Sequence, residues 1–69
     1  MKKTTLKIGN LRTKKFLSLV EKIQKDFPKY HLIAELESSG LFSATYFLWV
    51  RETDYIDEVL KIFDEELNS

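Results

Sequence analysis

The apolar positions switch between a period of two and a period near 3.6 as the chain advances. In residues 3–8, Thr4, Leu6 and Ile8 alternate with Lys3, Thr5 and Lys7, which predicts a short half-buried strand. Gly9-Asn10 reads as a turn, with Asn10 or Thr13 as the cap of a following helix. Over 11–26 the spacing becomes helical. Phe16, Val20, Ile23 and Phe27 form a stripe that Leu17 and Leu19 widen. Pro28 ends it, because the residue before a proline is pushed out of helical geometry.

Alternation returns in 30–37 and 42–51, two strands joined at Ser39-Gly40-Leu41. Side chains argue the register. With Leu32 opposite Leu48, Ala34 meets Tyr46 and Leu36 meets Ala44. One face then collects Tyr30, Leu32, Ala34, Leu36, Phe42, Ala44, Tyr46, Leu48 and Val50. The other collects His31, Ile33, Glu35, Glu37, Ser43, Thr45, Phe47, Trp49 and Arg51. A slip of one residue would turn Glu35 and Glu37 into the core, where unpaired carboxylates are costly.

A second helix is predicted over 53–67, capped by Thr53, with Asp54 and Asp57 favourably placed in its first turn. Ile56, Val59, Leu60, Phe63 and Leu67 are its buried stripe, flanked by Tyr55 and Ile62. The order β-α-β-β-α, with a right-handed crossover and the hairpin folded back, places the third strand in the middle. The expectation is an α+β protein, a three-stranded sheet with two antiparallel helices on one face. In topology this resembles a ferredoxin-like layout lacking its fourth strand.

Length and composition narrow the picture. The 69 residues predict one domain over 1–69, and the absence of cysteine excludes disulfides and thiolate metal sites. A chain this short buries only about 60% of its unfolded surface, so its core has little to spare unless a second copy adds burial. No apolar run reaches the roughly 18 residues that span a bilayer. Met1-Lys2-Lys3 is not followed by a secretory h-region, so a cytoplasmic location is expected. The net charge of zero hides a division. Residues 1–30 carry nine bases and two acids, and residues 31–69 carry two bases and nine acids.

The sheet face without helices is the strongest candidate site. Ile33, Phe47 and Trp49 lie there, with His31 and Arg51 at its margin, and an aromatic patch of this kind marks an interface. The first reading is a protein partner, most simply a homodimer. The second is that a loop or tail of the same chain covers the patch. The third is nucleic acid, with bases stacked on Phe47 and Trp49 and phosphates met by Lys3, Lys7, Arg12, Lys14 and Lys15.

Arg12, Lys14 and Lys15 also crowd the start of the first helix, where the macrodipole disfavours cations. An anion site is one reading. The better one is offset by Asp64, Glu65 and Glu66, equally misplaced at the end of an antiparallel second helix. The lone His31 has no metal-ligand spacing around it, and Ser38-Ser39 reads as turn chemistry without an accompanying base. Glu35 and Glu37 read as a solvated, edge-protecting pair. The expectation is a small non-enzymatic interaction or regulatory module. No cofactor, small-molecule substrate or membrane contact is indicated, and nucleic acid is the alternative partner.

Overall fold

A computed structural model of the chain describes residues 2–68. The elements run β1 (Lys2–Gly9), a 3-10 turn (Asn10–Arg12), α1 (Thr13–Asp26), a second 3-10 turn (Pro28–Tyr30), β2 (Ile33–Ser39), β3 (Ser43–Val50) and α2 (Thr53–Leu67). The fold is α+β, with a three-stranded antiparallel sheet and two helices. The strand order is β1-β3-β2, so the central strand is the one whose sequence is apolar on both sides.

β3 shows why. Ala44, Tyr46, Leu48 and Val50 are buried, while the residues between them are only half-buried. The buried set faces the helices, where it meets Phe16, Leu19, Val20 and Ile23 of α1 and Val59 and Phe63 of α2. Phe16 is the centre of this core. Its ring lies 4.8 Å from that of Tyr46 and 5.0 Å from that of Phe63, joining both helices to the sheet. The opposite face of β3 carries Ser43, Thr45, Phe47 and Trp49.

The helices are antiparallel. At one end Arg12, just before α1, reaches Asn68, just after α2. At the other end Tyr30 packs edge-on against Tyr55 at 5.1 Å. Neither helix is capped as its sequence implies. Asn10 does not cap α1, and Thr13 is already helical, its hydroxyl donating to the Gly9 carbonyl at 3.3 Å. Thr53 likewise begins α2, and Glu52 holds the extended cap position without a side-chain bond.

The hairpin departs from the expected register by two residues. Ile33 pairs with Trp49, Ala34 with Leu48 and Leu36 with Tyr46. A bulge follows between Leu36 and Ser38, after which Ser38 meets Thr45 and Ser39 meets Ala44. An even slip keeps every side chain on its face, so the hydrophobic pattern alone does not detect it. The turn moves forward as a consequence. Gly40 N–H donates to the Ser43 carbonyl at 2.7 Å, and Phe42 lies in the loop instead of the core-facing strand. Leu36, expected on the core-facing side, is also exposed. Leu17 and Phe27, expected in the α1 stripe, are exposed as well; α1 stops at Asp26, and the Phe27 ring turns onto Tyr30 at 5.8 Å.

His31 is the one non-glycine residue with positive φ, at 52°, among the described residues. It closes the Pro28–Tyr30 turn in the left-handed region instead of extending β2. Such a conformation costs a side-chain-bearing residue about 1 kcal/mol that glycine avoids. His31→Gly is therefore expected to raise the urea midpoint by the equivalent of about 0.5–1 kcal/mol, and His31→Val to lower it.

Candidate functional site

The pairing of the strands sets out the open face as a grid. Lys3, Trp49 and Ile33 form one row across the sheet. Thr5, Phe47 and Glu35 form the next, and Lys7, Thr45 and Ser38 the third. Partners directly opposite in an antiparallel pair share a face, so all nine side chains project away from the helices. The central column is aromatic at two of its three positions. The β1 column is basic at Lys3 and Lys7, and the β2 column is acidic at Glu35.

Lys3 gives this surface its local order. Its ammonium lies 4.2 Å from the Phe47 ring centroid and 5.4 Å from that of Trp49. A cation over an exposed ring contributes about 0.5–1 kcal/mol, enough to bias the side chain across the patch but not to fix it there. Phe47 and Trp49 keep intermediate exposure, and Ile33 is about half exposed.

The other expected site residues fall elsewhere. His31 precedes β2 and is not part of the grid, because the left-handed turn displaces the start of the strand to Ile33. Arg51 lies past the end of β3, where its backbone N–H donates to the Tyr30 carbonyl at 2.8 Å. Arg12 is turned toward α2. Its guanidinium donates to Asn68 Oδ1 at 2.6 Å, and Asn68 Nδ2 donates to Asp64 Oδ1 at 2.7 Å. This relay joins the misplaced base at the start of α1 to a misplaced acid at the end of α2. Lys14 and Lys15 are exposed on the first turn of α1, in the helical layer behind the sheet. The basic residues are thus divided. Lys3 and Lys7 share a face with the aromatics, and Arg12, Lys14 and Lys15 do not.

A cleft of about 420 Å³ separates β1 from the end of α2. Leu6, Ile8, Leu60, Phe63 and Leu67 line it, and Arg12, Asn68 and Asp64 contribute their mutual hydrogen bonds. Among the described residues there is no grouping of three or more His, Asp or Glu side chains suited to a metal ion. No described helix is long and apolar enough to cross a membrane.

One surface escaped the sequence reading. Leu11, Leu41 and Phe42 are 101%, 89% and 86% exposed, and they sit together at the end of the sheet. Asn10 holds them there. Its N–H donates to the Phe42 carbonyl at 2.9 Å, and its side-chain amide donates to the Leu41 carbonyl at 2.7 Å. A signal was present in Leu41-Phe42. Two adjacent large apolar residues directly after Gly40 break the rule that turns are polar.

No protein-family model, curated protein or solved structure matches the chain significantly.

Proposed function

We propose that the chain is a small non-enzymatic interaction module of the cytoplasm, and that its open sheet face takes a second copy of itself. We read the three-stranded order β1-β3-β2 as a ferredoxin-like layout without a fourth strand, in which no described residue lies across the open face or the outer edge of β1. The observation that carries the proposal is the grid: Phe47 and Trp49 on the central strand, between a basic and an acidic column.

The columns favour one arrangement of two copies. A two-fold axis parallel to β3, between facing sheets, lays the β1 column of one copy over the β2 column of the other, so that Glu35 faces Thr5 of the second copy with its Lys3 and Lys7 on either side. A two-fold across the strands would lay lysine over lysine. Like charges across an interface oppose association, so the first packing is selected.

Area sets the strength. With strands about 4.8 Å apart and a rise of about 3.3 Å per residue, the sheet offers about 370 Å² per copy. A total near 750 Å² falls below the roughly 1,200 Å² of stable complexes, so the dimer is transient. Two aromatic anchors at its centre supply most of the affinity.

Sedimentation equilibrium tests this. The weight-average mass is expected to rise from monomer toward dimer as concentration approaches the order of a millimolar. Trp49→Ala should keep the chain monomeric and folded. Lys3→Glu and Glu35→Lys should each weaken association, and the double variant should recover part of it. A wild type that stays monomeric throughout, or a Trp49→Ala variant that associates normally, overturns the proposal. Mass increase only on adding a single-stranded oligonucleotide, falling steeply with salt, would instead favour nucleic acid.

A further inference from the structure

We propose that the tip formed by Leu11, Leu41 and Phe42 is a docking site for an anionic lipid surface, with Lys14 and Lys15 at headgroup level behind it. Three features support this. The first is projection. Side chains exposed at 86–101% touch almost nothing of their own chain, so they stand clear of the molecular surface. A protein partner would need a socket shaped to each one. A fluid apolar layer receives them without one, and contiguous apolar area of this kind marks an interaction site.

The second is backbone satisfaction. The carbonyl of Gly40 receives the Asn10 side-chain amide at 3.4 Å, and that of Leu41 receives the same group at 2.7 Å. The Phe42 carbonyl receives Asn10 N–H at 2.9 Å, and the Ser43 carbonyl receives Gly40 N–H at 2.7 Å. Four successive carbonyls beneath exposed apolar side chains are thus all supplied with donors from within the chain. Paired carbonyls lower the cost of bringing this loop up to an apolar layer, and the N–H groups of Leu41 and Phe42, which have no partner among the described residues, are left to water and headgroups at the interface.

The third is charge. α1 begins two residues after Leu11, has no acidic residue in its first turn and no side-chain cap, and carries exposed Lys14 and Lys15. The positive dipole end of α1 therefore adds to the two ammonium groups. Asp64, the acid drawn closest to this helix start, is held through Asn68 on Arg12. Bilayer crossing and surface contact are separate matters, and that no described helix is long and apolar enough to cross bears only on the first.

Vesicle co-sedimentation tests the proposal with the full chain. Vesicles of phosphatidylcholine containing phosphatidylserine should pull down the wild type. Leu41→Asp and Phe42→Asp should each reduce the partition about tenfold or more, since each removes an apolar anchor and adds a repelled charge. The exposed positions leave folding intact, which an unchanged urea midpoint verifies. Lys14→Glu with Lys15→Glu should abolish the preference for phosphatidylserine. Trp49→Ala should bind vesicles as the wild type does, which separates this site from the sheet face. Absence of wild-type binding, or binding that neither tip substitution changes, overturns the proposal. A Leu41→Asp effect on self-association without any vesicle binding overturns it in favour of a second copy at the tip.

Discussion

Phe16→Ala is expected to leave the chain largely unfolded at room temperature. The ring is fully buried and lies within 5.0 Å of both Tyr46 and Phe63, so it holds β3, α1 and α2 to one another. Deleting a buried phenylalanine side chain costs about 3–5 kcal/mol, through lost transfer energy and the cavity left behind. A domain of this length has a total stability of about 3–10 kcal/mol. The loss therefore consumes most of the margin, and no disulfide is present to limit the damage. Far-UV circular dichroism should show loss of helix at 25 °C, with a urea transition that no longer has a native baseline. Phe16→Leu, which refills much of the volume, should retain a cooperative transition at a lower midpoint. A Phe16→Ala protein with a near-native midpoint would mean that the core does not converge on this ring.

Adjacent residues on β3 should respond in opposite ways. Leu48 is 1% exposed and faces the helices, whereas Phe47 faces away from them. Leu48→Asp places a carboxylate among Leu32, Phe16 and Val59 side chains of the apolar core, with no partner for its charge. The expected loss is more than about 4 kcal/mol, enough to unfold the chain. Phe47→Asp meets solvent and the Lys3 ammonium instead, so its cost should stay near about 1 kcal/mol, from lost ring contact and strand preference. Paired urea titrations measure the difference. Similar losses at the two positions would show that both faces of the sheet are covered.

Period, more than residue identity, determined which parts of this architecture were legible. α2 occupies 53–67 as its apolar spacing implies, because a five-residue stripe leaves one helical face to bury. The two faces of β3 follow directly from alternation. What alternation does not specify is an even register slip, and the hairpin made one of two residues, followed by a bulge at Glu37 that puts Ser38 opposite Thr45 in its place. Phe42 was misplaced for a related reason. An apolar residue beside a strand reads as part of it, but a bond from Asn10, far away in sequence, draws its carbonyl into the loop. His31 was misplaced by a local device, the Pro28–Tyr30 turn, which ends in a left-handed residue before the strand begins. The pattern thus identified Ile33, Phe47 and Trp49 as sharing a face. It missed the tip, whose exposure depends on long-range hydrogen bonds, and it grouped Arg12, Lys14 and Lys15 with a surface that lies in another layer.

The claim that the aromatic face is the contact surface is tested most directly by amide and indole chemical shifts recorded across a concentration series. On the present account, shifts at Thr5, Thr45, Phe47 and the Trp49 indole N–H should move together with concentration and saturate along one binding curve. Those of the outward residues of α1 and α2 should stay still. Concentration-dependent shifts confined to the helices, or none at all up to millimolar protein, would contradict it.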